Sequence, residues 1–238
     1  MKRLVLAALA AAAIGAGVGA PAARAGTECE GLPECIRVVG PWVGVPPGAE
    51  PTYFRLRCPG PGQTVGGLDA DLPRGRNGVD VTFLGALGGP VGPGITTGRE
   101  IVFVALATRP GAGAFRPLLG CIPATGGGGR SRTAYEPTRY AAAVLPAAVA
   151  PALVRRVRTV RLRAVARQTA THSCRPAERL LAFSTAIAFR TREAPSVARL
   201  ASIRATGRRV GDRVVAIVRG RPPAGVGVEL QIHAVCVR

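Results

Sequence analysis

Cysteine spacing constrains this chain more than any other feature. Cys58 and Cys121 stand 63 positions apart, and Cys174 and Cys236 stand 62 apart. A tight third pair, Cys29 and Cys35, precedes both frames. Each long frame opens where a short run of alternating character ends in cysteine, and closes on another such run. Between them lie apolar segments and a late turn, Arg109-Pro110-Gly111 in one frame and Arg221-Pro222-Pro223 in the other. The reading is one disulfide-closed β module present in two diverged copies.

The N-terminus sets the redox context. Met1-Lys2-Arg3 leads into an apolar run from Leu4 to Ala20 and then Ala23-Arg24-Ala25. That order predicts a signal peptide over residues 1–25, cleaved between Ala25 and Gly26. Thr27 and Glu28 before Cys29 do not make a lipidation site. The cysteines all follow this segment, and an even count in an exported chain reads as disulfides. Six cysteines allow fifteen pairings. Spacing favours Cys29–Cys35, Cys58–Cys121 and Cys174–Cys236. Closing a loop of about 60 residues stabilises a module by roughly 4 kcal/mol in the chain-entropy model. Only 4% of the chain is aromatic, so the cores must be built from Val, Leu, Ile and Ala, and cross-links help such small-residue cores.

Charge divides the chain where the frames do. The net charge is +19, and Lys2 is the only lysine. Residues 26–129 carry eight arginines against eight acids; residues 130–238 carry 21 against five. GC-rich codons favour Arg, Ala, Gly and Pro throughout, but one genome wrote both halves, so codon bias does not explain the asymmetry.

Strand signals fill both frames. Ile36–Val39 and Trp42–Val45 flank a break at Gly40-Pro41. Phe54, Leu56 and Cys58 alternate with Tyr53, Arg55 and Arg57, the period of a half-buried strand. Thr64–Ala70 carries Gly66-Gly67 at its centre, which signals a bulge or a close backbone approach. Strands follow at Asp80–Leu84, at Ile101–Ala107, whose apolar run suits a central strand, and at Phe115–Cys121. Residues 122–151 form a linker, with Gly126–Gly129 and an apolar stretch after Ala141 that contains Pro146. It is too short to cross a bilayer, and no transmembrane segment is expected after the signal. Leu153, Val157, Val160 and Ala164 have helical spacing, whereas the alternation about Arg161 and Arg163 suits a strand; a strand is preferred for 157–165. Leu180–Phe189, Val214–Val218 and Glu229–Cys236 complete the second frame.

The expected architecture is all-β: a neutral module over 26–121 and an Arg-rich module over 152–238, in tandem antiparallel β-sandwich-like form. An immunoglobulin domain is disfavoured, because neither frame contains a Trp and no Tyr stands two residues before Cys121 or Cys236.

The candidate sites are few. Arg155, Arg156, Arg158, Arg161, Arg163 and Arg167 form the strongest, because guanidinium groups bind phosphates and carboxylates bidentately. The competing reading is a solvated strand face. Few aromatics accompany these arginines, which weighs against nucleic acid and toward an anionic cell-wall polymer, lipid headgroups or an acidic protein. His172 and His233 near Cys174 and Cys236 could bind zinc, but a disulfide flanked by histidines is preferred. Asp69, Asp71 and His233 are the only group offered for a hydrolase. Asp69-Ala70-Asp71 fails as a calcium loop, since Pro73 and Arg74 stand where a ligand and a glycine belong. No catalytic residue, metal or cofactor is assigned. Trp42 and Tyr53 would serve a protein-binding role for the neutral half.

Arg57-Cys58-Pro59-Gly60 through Gly66-Gly67, and Arg179-Leu180-Leu181 through Ala188-Phe189-Arg190, resemble segments of secreted proteins of GC-rich actinobacterial type. That resemblance implies an extracytoplasmic location, secreted or in the cell envelope, and no activity.

Overall fold

The computed structural model describes residues 27–30, 32, 34–73, 78–85, 98–124 and 153–238. The expected signal peptide, its Ala25–Gly26 cleavage site and nearly all of the linker lie outside the described residues. The described chain is all-β apart from one short helix. The strands are β1 (Ile36–Val39), β2 (Trp42–Val45), β3 (Thr52–Arg57), β4 (Gln63–Asp71), β5 (Val79–Gly85), β6 (Glu100–Ala107) and β7 (Gly113–Pro123) in the first half. β8 (Leu153–Arg161), β9 (Arg167–Ser173), β10 (Arg179–Arg190), β11 (Arg204–Val210), β12 (Arg213–Arg219) and β13 (Gly227–Val237) follow, with α1 (Val197–Ser202) between β10 and β11. Leu153–Arg161 is a strand, so alternation prevails over the helical spacing. It starts before and ends short of the predicted 157–165, although the Leu162 N–H still donates to the Val228 carbonyl of β13 at 2.8 Å.

One antiparallel sheet runs through both halves. β7 is flanked by β4 on one edge and by β1 and then β2 on the other. At the Gly40-Pro41 break the Gly40 N–H still donates to the Pro117 carbonyl at 2.9 Å. The second edge of β2 pairs with β10, placing Val43 opposite Ala188 and Trp42 opposite Phe189. β13 and β8 complete the sheet. Two three-stranded sheets cover it: β3-β6-β5, with β6 central as its apolar run suggested, and β11-β12-β9.

Side-chain alternation places these covering sheets on opposite faces of the long sheet. Val43, Val45, Ala186 and Ala188 join Phe54, Phe103 and Phe115 in one core. Their sequence neighbours Trp42, Ile187 and Phe189 turn the other way, into a second core with Val214, Ala216, Val218, Leu230 and Ile232. β2 and β10 therefore serve both cores. The two halves are packed into one another rather than strung side by side.

All three disulfides have the favoured pairing. The long ones sit in matching surroundings. Cys121 lies opposite Val65, and β4 is bulged between Val65 and Gly67; Cys236 lies opposite Leu180, and β10 is bulged between Leu180 and Ala182. The Cys58 N–H donates to the Arg99 carbonyl, and the Cys174 N–H donates to the Asp212 carbonyl. The strand that leads into Cys174 is β9, so β9 takes the place that β3 has before Cys58. β8 instead lies along β13 as β1 and β2 lie along β7.

Gly67 explains the glycine pair. An added Cβ there, or at Gly120 beside it, would collide with the Glu28 carbonyl oxygen, so the Cys29–Cys35 loop lies directly on the sheet. Glu28 is buried beneath it and pairs with Arg37. Burial is the largest influence on its carboxyl and raises its pKa, against the attraction of Arg37.

Candidate functional site: an arginine rung on β9-β12-β11

The arginine run around β8 is divided by the strand's own alternation. Arg155, Thr159 and Arg161 share the face of the long sheet that looks toward β3, while Arg156 and Arg158 share the opposite face. Arg155 is half-buried near Tyr53. Its Nε has no hydrogen-bond partner among the described residues, and desolvation lowers its pKa. Arg156 makes a two-pronged ion pair with Glu178 through Nε and Nη2. Arg158 donates from Nη1 to the Thr171 carbonyl at 2.6 Å. Arg161, Arg163 and Arg167 are exposed. Arg155 and Arg156 thus hold internal positions, and the exposed members gather at the far end of the run.

A set of arginines with no ion pair among the described residues lies instead across three strands. In β12, Val214, Ala216 and Val218 point into the core, so Arg213, Val215, Ile217 and Arg219 point out. Directly opposed residues in a sheet share a face. Arg219 is opposed by Arg204 on β11 and by Arg167 on β9, forming a continuous rung of three arginines. The next rungs outward are Thr206–Ile217–Thr169, Arg208–Val215–Thr171 and Val210–Arg213–Ser173. No acidic residue stands on this face. Asp212, in the β11-β12 turn, pairs with Arg209 at 3.7 Å and accepts from the Leu180 N–H at 2.9 Å.

Strand spacing sets the rung's chemistry. Neighbouring strands lie about 4.8 Å apart, so three guanidinium groups can reach one anionic group or successive groups of a polymer. Like charges directly opposed destabilise a sheet. Among the described residues no acidic side chain on these rungs offsets that cost.

Sequence reading reached Arg167 but missed Arg204, Arg208, Arg213 and Arg219. A signal for the β11-β12 pairing was present. Val210-Gly211-Asp212-Arg213 closes a two-residue hairpin with glycine at its first turn position, at φ +59, and that turn fixes Arg204 opposite Arg219. Pairing of β12 with β9, about forty residues earlier, had no such local cue.

The other candidates are held separately. Asp69 accepts from the Thr27 hydroxyl at 2.8 Å, and Asp71 pairs with Arg116 at 3.4 Å. His233 is buried on β13 and stacks on Tyr53. Desolvation holds its pKa down to about 3, with Arg155 and Arg55 adding repulsion. Burial likewise lowers His172. Cys174 and Cys236 are bonded to each other, so neither offers the thiolate that zinc prefers. Trp42 is buried, with the Arg116 guanidinium 4.4 Å from its ring centroid, so neither Trp42 nor Tyr53 stands free on the surface.

No helix among the described residues is long and apolar enough to cross a membrane. Comparison with known proteins found no matching family model, no matching curated protein and no matching solved structure.

Proposed function

We propose that this is an exported, non-catalytic protein of the cell envelope or extracellular space that binds an anionic polymer through its second half. The observation that carries this reading is the Arg167–Arg219–Arg204 rung on a face without acids. Arg208 and Arg213 extend that face, and the neutral first half supplies the scaffold beside it. Three disulfides fit an oxidising environment, in keeping with export. The matching bulges and disulfide surroundings support descent of the halves from one module, with the charge acquired by one copy.

Retention on immobilised heparin and on a phosphodiester polymer tests the reading. The wild-type protein should bind both and elute with a steep dependence on salt, as counterion release requires. A variant carrying Arg167→Gln, Arg204→Gln and Arg219→Gln should elute at markedly lower salt. Equal retention of the triple variant and the wild type would overturn the assignment.

A further inference from the structure

Where the two halves meet, the interlocked sheets leave an apolar groove of about 410 Å³. Val45 and Pro47 of the first half form one wall, and Ile187, Phe189, Leu200 and Ile203 of the second form the other. The volume falls within the range of about 300–1,000 Å³ typical of small-molecule sites. The groove follows β11, the outer strand of its sheet, so no further strand covers it on that side.

One end of this groove is charged. Arg204 and Thr206 line the groove and also line a neighbouring recess of about 310 Å³, where Ser202 and Arg219 join them. Arginine stems cover apolar surface while their heads stay in water. The two cavities share a wall, and directly opposed Arg204 and Arg219 stand at the crossing from apolar to polar surroundings. No acid pairs with either arginine among the described residues.

We propose that the groove is a binding site for an anionic amphiphile. An acyl chain occupies the apolar groove, and its carboxylate or phosphate head is held by Arg204 and Arg219. Charge complementarity selects this ligand class over a neutral lipid, which would leave both guanidinium groups without a counter-charge. The site goes beyond polymer binding: it needs a cavity and a chain, whereas the outer face needs only a row of charges.

Fluorescence titration with cis-parinaric acid, followed by displacement with dodecanoate, dodecyl phosphate or dodecanol, tests it on the full chain. The two anionic competitors separate a carboxylate source from a phosphate source; displacement by either at a concentration at least tenfold below that of dodecanol supports the site. Arg204→Gln with Arg219→Gln should erase that preference and leave dodecanol unchanged. Ala112→Phe, which fills the groove away from the arginines, should weaken every amphiphile at least tenfold and leave heparin retention intact; Val197→Phe, at a residue that lines the groove and not the charged recess, serves if the first variant does not fold. Failure of the probe to bind, equal displacement by alcohol and anion, or unaltered binding in a folded groove-filled variant would overturn the proposal. Those results leave the polymer reading standing, because retention is measured separately.

Discussion

Tyr53 of the first half lies flat on His233 of the second, with ring centroids 5.5 Å apart and planes 15° from parallel. Beside them Gln231 acts as a surrogate strand. Its Oε1 accepts from the Arg55 N–H at 2.5 Å, and its Nε2 donates to the Arg55 carbonyl at 3.1 Å. β3 is the outer strand of its sheet, and a side-chain amide satisfies the backbone that an unpaired edge would leave open. Tyr53→Ala removes the stacking and should lower stability by about 1–2 kcal/mol, the aromatic pair plus part of its buried area. Denaturant unfolding measures the loss, and faster amide exchange confined to β3 and β13 would locate it at this seam.

His233 makes that seam sensitive to acid. Its folded pKa is about 3, below the roughly 6.5 of an unfolded histidine. Between these values the unfolded chain binds a proton that the native protein does not, so stability must fall as pH drops below about 6.5. His233→Phe preserves the stacking and removes the proton site. The variant should gain on the wild type as pH falls from 7 to 4, in unfolding midpoints taken along that range.

Two buried glutamates titrate with opposite sign. Hydrogen bonding to Arg156 holds Glu178 down to about 2, so its contribution is present above the normal carboxylate pKa and is lost as pH falls toward 2. Glu28 has a raised pKa, so its contribution is full at low pH and is lost as pH rises through the folded value. Glu178→Gln should therefore lose most relative to wild type near neutral pH. Glu28→Gln should improve relative to wild type over the same rise in pH. Matching trends for the two variants would contradict these assignments.

The arginine rung couples stability to binding. Opposed like charges destabilise a sheet by a few tenths of a kcal/mol to about 1 kcal/mol per pair. Replacing Arg204 and Arg219 by glutamine should raise the unfolding midpoint, most visibly at low salt, while polymer retention falls. A loss of stability instead would assign these arginines a structural role.

The Cys58–Cys121 disulfide should stabilise both cores. Replacing Cys58 and Cys121 by alanine opens a loop of 63 residues and should cost roughly 4 kcal/mol in the chain-entropy model. Because β2 contributes Trp42 to the second core as well, thermal unfolding of this variant should loosen both halves together. Near-ultraviolet circular dichroism follows that core through its lone tryptophan.

Local chemistry determined much of this protein in advance. Alternation marked most of the strands, cysteine spacing marked the staples, and composition marked which half is charged. These signals act within a few residues of each other or through a single covalent link. The tertiary structure decided the rest. β9, α1 and β11 have mixed periodicity, because their burial comes from neighbours distant in sequence. The pairing of β2 with β10 rests on a few residues, yet it makes one sheet of two halves and turns their cores to opposite faces. The strand's own alternation divided the arginines on β8 between two faces, and the long-range register decided that Arg155 and Arg156 are held inside. Long-range register also gathered Arg167, Arg204 and Arg219 from three separate segments into one rung. A strand's own sequence sets which side chains share a face, but only sheet pairing sets which residues stand beside them.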